Sequence, residues 1–138
     1  MTIGRSRSER SVCKHVVIVD DDEGLVRALK ILCERMGLQV TTVNNGADAV
    51  TIIARNPPDL VLLDINMPAR DGLSVCGLLA SNVQLAPIPV IVLSGRSDEK
   101  TIQRCEALGA YYVLKSGDVW GWLKPRICEL LEIDNACA

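Results

Sequence analysis

The chain has 138 residues, 49% of them hydrophobic and 23% charged, which is enough to bury one core and too little for two ordinary domains. Fifteen Lys and Arg against 17 Asp and Glu leave a net charge of −2, so no global field draws the protein to nucleic acid or to an anionic membrane. The longest aliphatic runs are strand length, far short of the ~20 residues of a membrane helix, and MTIGRSRSER lacks the apolar stretch of a secretory signal.

Six cysteines stand at positions 13, 33, 76, 105, 128 and 137. None forms a CxxC pair, and His15 is the one histidine that could join them, which argues against zinc. Four of the six fall in helix-like segments, where a reduced thiol packs as a small hydrophobe; the expectation is a cytoplasmic protein with free thiols.

Residues 1–14 mix Arg5, Arg7, Arg10 and Lys14 with serines and show no periodicity, so they read as a flexible N-terminal tail. From His15, short β-branched runs alternate with amphipathic segments, the pattern of consecutive βα units. HVVIVD is the first strand. Leu25, Leu29, Leu32, Cys33 and Met36 mark one helix face, and Gly37 stands where a left-handed residue would close that helix. LQVTTV is the second strand, and GADAVTIIAR a short helix stopped by Asn56-Pro57-Pro58. DLVLLD is the most apolar strand and is expected at the centre of the sheet.

A loop over 65–72 leads to a helix over 73–80, and Pro87 and Pro89 bracket the entry to PVIVLS. In the loop, Met67-Pro68 and Asp71-Gly72 shape the turn, and Gly72 is expected to take a backbone angle awkward for other residues. Ser97 suits an N-cap, with Asp98 and Glu99 placed against the helix dipole. AYYVLK is the fifth strand. In the last segment, Pro125 could begin a late-starting helix, leaving 118–124 as a turn, or kink a longer one; the late start is the preferred expectation. Trp120 and Trp122 cannot share a helix face, so one should pack and the other lie exposed. Residues 134–138 read as a C-terminal tail. The expected fold is α/β, a doubly wound five-stranded parallel sheet of order 2-1-3-4-5, flavodoxin-like, with helices on both faces.

Four of the apolar runs stop at a residue able to handle a phosphoryl group and Mg²⁺: VVIVD-DD at Asp20 to Asp22, LVLLD at Asp64, VIVLS at Ser94 and YVLK at Lys115. Strand ends of a parallel sheet converge on one edge, so these groups would share one pocket. Clustered carboxylates repel one another, and a divalent cation relieves that repulsion. All-oxygen donors in small number favour Mg²⁺ with retained waters over a calcium cage. Taken singly, the acids read as a solvated helix start, Ser94 as a cap and Lys115 as a surface cation; their joint placement at strand ends is what points to a site.

With these motifs in order, the acid cluster after VVIVD, then LLDINMPARDG, VLSG and GAYYVLK, the chain resembles the receiver domain of two-component response regulators over 15–133. The resemblance implies that Asp64 is the phosphoacceptor. It implies Mg²⁺ held by Asp21, Asp64 and the main-chain carbonyl of Asn66, with Asp20 acting through a metal-bound water. Ser94 becomes the switch hydroxyl, Lys115 the phosphate-binding lysine and Tyr112 the ring that follows Ser94. Gly95 leaves room for the incoming group, and Asn66 and Arg96 tune how long the phosphorylated state lasts. The implied function is a stand-alone, non-enzymatic switch, phosphorylated by a sensor histidine kinase or a histidine phosphotransfer protein. It would signal to a downstream protein partner through the face of helix four, strand five and helix five. Neither direct nucleic-acid contact nor membrane insertion is expected, and there is room for a phosphorylation-dependent dimer.

One departure stands out: Ser116 follows Lys115 where the family usually has a proline joined through a cis bond. A cis bond to serine costs about 2.5–4 kcal/mol, against about 0.5–1 for proline. Two other functions compete. An aspartate-nucleophile phosphatase of the haloacid dehalogenase type is suggested by Asp20-x-Asp22, Ser94 and Lys115, but Glu23-Gly24-Leu25 lacks the expected threonine and there is no room for a cap. The other is a receiver-like interaction module that is never phosphorylated, for which Ser116 is the one hint.

Overall fold

The computed structural model describes residues 13–65, 72–95 and 99–134. Five strands and five helices alternate: β1 (His15–Val19), α1 (Glu23–Arg35), β2 (Gln39–Val43), α2 (Gly46–Arg55), β3 (Leu60–Asp64), α3 (Gly72–Ala80), β4 (Val90–Ser94), α4 (Glu99–Ala107), β5 (Tyr111–Leu114) and α5 (Val119–Leu131). All strand pairs are parallel and the order is β2-β1-β3-β4-β5, as the sequence led one to expect.

The strand sequences explain why the sheet is covered on both sides. Side chains alternate between faces, and in β1, β3 and β4 both sets are apolar. Val17, Val19, Val61, Leu63 and Val92 enter one core, with Ala49 and Ile53 of α2, Val75, Cys76 and Leu79 of α3 and Cys105 of α4. Val16, Ile18, Leu60, Leu62, Ile91 and Leu93 enter the other, with Leu29 and Cys33 of α1 and Leu123, Ile127, Cys128 and Leu131 of α5. Both β3 and β4 are buried along their whole length, which confirms DLVLLD as a central strand.

Helix ends follow the local chemistry. The Asp22 carboxylate accepts from the Leu25 amide at 3.1 Å and caps α1. At the other end, Gly37 takes φ +85° and the Leu38 amide returns to the Cys33 carbonyl at 3.2 Å. Asn45 caps α2 through the Asp48 amide at 2.9 Å, and Asn56 closes it before the two prolines.

Two expectations need correction. First, Pro125 lies inside α5 and does not begin it: the helix starts at Val119, capped by Asp118 through the Gly121 amide at 2.9 Å. Leu123, Ile127 and Leu131 recur every four residues and are all buried on the sheet, and this burial carries the helix through the proline. The ring of Pro125 faces water, away from the buried side. Second, Gly72 does not have a positive φ; among the described residues the glycines that do are 37, 109 and 117. A Cβ at Gly72 would instead fall well inside 3.0 Å of the Asp64 carbonyl oxygen and the Ile65 Cα. Close backbone approach, not backbone angle, requires glycine there.

Trp120 packs against the core shared by α1 and α5, while Trp122 is 73% exposed, so the two rings divide as expected. No helix among the described residues is long and apolar enough to cross a membrane.

Candidate functional site

β1 and β3 are neighbours, and both end at the carboxyl edge of the sheet. That places Asp20, one residue past β1, beside Asp64, the last residue of β3. Asp20, Asp21 and Asp64 each offer a carboxylate oxygen within 4.8 Å of the others. Asp20 and Asp64 are buried and Asp21 is exposed, so the cluster is open to solvent on the Asp21 side.

Lys115, one residue past β5, reaches across to both buried acids. Its ammonium lies 2.9 Å from Asp20 Oδ2 and 3.3 Å from Asp64 Oδ1. The Lys115 amide donates to the Ser94 carbonyl at 2.7 Å, which extends the β4–β5 ladder to the pocket. No peptide bond among the described residues is cis, the Lys115–Ser116 bond included. The turn is closed instead by the Ser116 amide donating to the Leu114 carbonyl at 3.0 Å and by Gly117 at φ +55°. The serine in place of proline therefore leaves the lysine on both carboxylates.

Asp20 is held from several sides. Its amide donates to the Val43 carbonyl at 3.0 Å, and its Oδ1 accepts from the Asp22 amide at 3.0 Å. Burial raises its pKa, and the nearby charge of Asp64 adds to the rise, while the Asp22 amide and Lys115 oppose it. Burial alone would lower the pKa of Lys115, but its hydrogen bonds and attraction to Asp20 and Asp64 outweigh that and raise it. The cluster thus carries more negative charge than one lysine relieves.

Ser94 ends β4 and is fully buried. Gly95 follows it at the surface, and a Cβ there would meet no atom of the described residues within 4 Å. Tyr112 is partly buried on β5, opposite Val92, against the core shared by α2, α3 and α4. Asn66, Arg96, Met67, Pro68, Asp71, Ser97 and Asp98 lie outside the described residues. A cleft of about 610 Å³ opens between α1 and α2 and meets the cluster through Asp20 alone; Arg27, Lys30, Asn44 and Asp48 also line it.

The thiols are elsewhere. Cys33, Cys76, Cys105 and Cys128 are buried and form no disulfide, and burial pushes Cys33 up to about 12 and Cys76 to about 11. They serve as core, in keeping with the sequence. What the sequence reading missed is the double use of Asp22, whose side chain caps α1 while its amide holds Asp20. The signal was present: an aspartate three residues before the first apolar residue of a helical stripe is an N-cap pattern.

The fold is thus a doubly wound α/β sheet with an acid–lysine pocket at its carboxyl edge, between β1 and β3 where the chain reverses its winding. The family model described as the response regulator receiver domain matches residues 16–118, and the chain belongs to that family. Among curated proteins it is similar to the transcriptional regulatory protein KdpE of Mycobacterium tuberculosis, 39% identical over 101 residues, which are 72% of this chain and 43% of that protein. Among solved structures it is similar to the signal receiver domain of a signal transduction histidine kinase from Syntrophus aciditrophicus. That likeness has a TM-score of 0.78 at 32% identity, covering 86% of this chain and 90% of the other. It is also similar to response regulator protein TrrA from Thermotoga maritima in complex with Mg²⁺–BeF, with a TM-score of 0.75 at 29% identity, covering 85% and 98%.

The chain spans less than half the length of the curated relatives it matches. Several of these are named as transcriptional regulators, so the expectations of a stand-alone protein and of no nucleic-acid contact draw no support from them. Family membership places the chain with receivers and not with haloacid dehalogenase-type phosphatases.

Proposed function

We propose that this chain is a phosphoacceptor switch in which Asp64 takes a phosphoryl group from a phosphohistidine of a sensor histidine kinase or a histidine phosphotransfer protein. The observation that carries the reading is the convergence of Asp20, Asp21 and Asp64 within 4.8 Å, with the Lys115 ammonium at 2.9 and 3.3 Å from two of them. The site's donors are hard oxygens carrying more charge than Lys115 relieves, which fits a dication such as Mg²⁺. Asp21, Asp64 and the Asn66 carbonyl would hold Mg²⁺, with Asp20 acting through water, and the ion would offset charge on the phosphoryl oxygens.

The remaining work falls to the chain. An Asp64 carboxylate oxygen attacks phosphorus in line, forming the acyl phosphate as the P–N bond breaks and its electron pair returns to the donor imidazole. Lys115, already beside Asp64, neutralises the phosphoryl oxygens as they arrive. The Ser94 hydroxyl then turns to the phosphoryl group and Tyr112 follows, altering the face of α4, β5 and α5 presented to a protein partner. Asn66 and Arg96, two residues beyond Asp64 and Ser94, set the access of hydrolytic water. That Lys115 reaches both acids with Ser116 behind it supports a phosphorylated switch over a module that is never phosphorylated.

The test is intact mass after incubation with acetyl phosphate and Mg²⁺. The wild-type chain should gain one phosphoryl group and Asp64→Asn none; labelling that survives this substitution would place the acceptor elsewhere.

A further inference from the structure

Three consecutive acids follow β1, and each has a different task. Asp20 turns inward to Lys115, Asp21 stays exposed beside Asp64, and Asp22 turns away from the cluster to cap α1. Two side-chain-to-backbone hydrogen bonds interlock here. Asp20 Oδ1 accepts from the Asp22 amide at 3.0 Å, and Asp22 Oδ1 accepts from the Leu25 amide at 3.1 Å. The Asp22 carbonyl also accepts from the Val26 amide at 2.9 Å, so the backbone of this residue is fixed on both sides of its Cα.

From this geometry we infer that Asp22 is a positioning residue for the acid pocket. Its cap sets the direction of its own N–H, and that N–H sets the rotation of the Asp20 carboxylate. The rotation in turn decides how Lys115 is shared between Asp20 and Asp64, which now stand at 2.9 and 3.3 Å. The carboxylate of Asp22 acts as a hydrogen-bond acceptor and not as a charge, since its Oδ1 is committed to the helix. This inference rests on the proposed Mg²⁺-dependent function, because its readout is how well the pocket takes that ion.

The variants separate cap from charge. Asp22→Ala removes both, whereas Asp22→Asn and Asp22→Ser keep an oxygen acceptor and remove the charge. Calorimetric titration of the full chain with Mg²⁺ should show Asp22→Ala weakened on the order of tenfold, the usual scale for losing a partner that orients a metal ligand. Asp22→Asn and Asp22→Ser should bind within about twofold of wild type by the same reasoning. The ¹H–¹⁵N resonance of residue 22 should shift in the alanine variant without Mg²⁺ and stay near its wild-type position in the asparagine variant.

Equal weakening in the alanine and asparagine variants would make Asp22 a charge and overturn the inference, as would an alanine variant that binds like wild type. A wild-type chain that takes up no Mg²⁺ would instead overturn the proposed function, and this inference with it.

Discussion

The carboxyl-edge pocket and the β5–α5 flank use polar and apolar groups in opposite ways. In the pocket, the Asp20 and Asp64 side chains are buried, and Asp20 is tied by its amide to Val43 and by its carboxylate to Asp22 and Lys115. Along the flank, large apolar groups lie in water. Trp122 is 73% exposed and Tyr111 38%, with the Arg126 guanidinium 5.2 Å from the Tyr111 ring centre. A groove of about 290 Å³ runs between Trp122 and Arg126 on one side and residues 112–114 on the other. The pocket is arranged for one geometry, which suits chemistry on a small group. The flank instead leaves large apolar groups in contact with water.

The largest effect that would break this contrast is expected at Gly72. Alanine there must displace the backbone of Asp64 and Ile65, since its Cβ falls on backbone atoms with no flexible neighbour to give way. A cost of about 2–3 kcal/mol is expected from such overpacking. Chemical denaturation should show it, and acceptance of a phosphoryl group should fall together with stability. The flank should be spared: the Trp122 emission of the folded variant should match wild type.

Pro125 tests the flank from the other direction. Inside α5 it withholds the amide that would bond the Gly121 carbonyl, at about 3 kcal/mol relative to alanine. Part of that is offset because proline also stiffens the unfolded chain, by about 0.4–1 kcal/mol. Pro125→Ala should therefore stabilise the protein by about 2–2.6 kcal/mol in denaturation. Mg²⁺ affinity should not change, because α5 contributes no group to the acid cluster; an altered affinity would join the two regions that the contrast separates.

These two residues also mark where the sequence could be read and where it could not. Strands β1, β3 and β4 are unbroken apolar runs ending in Asp20, Asp64 and Ser94, and such local patterns fix both an element and the position of its last side chain. The strand order then follows from helix-length crossovers, and with it the meeting of Asp20, Asp64 and Lys115. Gly72 and Pro125 were misread because their meaning is tertiary. Only the fold shows that the start of α3 presses on the backbone of Asp64, or that Leu123, Ile127 and Leu131 hold a helix together through a proline. Ser116 is a similar case: the sequence shows that the usual proline is missing, and only the fold shows that a trans turn with Gly117 keeps Lys115 on both acids.

Asp20 should show the cost of burying charge. Its folded-state pKa stands above the ordinary 3.8, so the folded protein binds that proton more tightly than the unfolded chain does. The stability this adds is fully present below 3.8 and is lost as pH rises through the folded value. At neutral pH the ionised group is a burden, and Asp20→Asn without Mg²⁺ should gain about 1 kcal/mol, a rise of roughly 3–6 °C in thermal midpoint. The gap from wild type should narrow as pH falls toward 3.8. Lys115 acts in the alkaline range: with its folded pKa above 10.5, its stabilisation holds below that value and is lost as pH rises through the folded one. A gap that widens in acid would mean that Lys115 over-compensates Asp20, and that the pocket is not strained.

The smallest change in stability is expected at Trp122. Its neighbour Leu123 is fully buried, yet the tryptophan ring points into water and takes no part in either core. Trp122→Ala should alter stability by no more than about 0.5 kcal/mol, the range of surface substitutions away from structural features. Phosphoryl transfer to Asp64 should proceed at the wild-type rate, since the ring lies beside Tyr112 and Arg126 and not beside Asp20, Asp64 or Lys115. That outcome would set the ring apart from both the fold and the chemistry of the pocket. Loss of stability comparable to that of a core residue would show instead that the ring covers the edge of β5, and the flank would have to be reclassified as part of the fold.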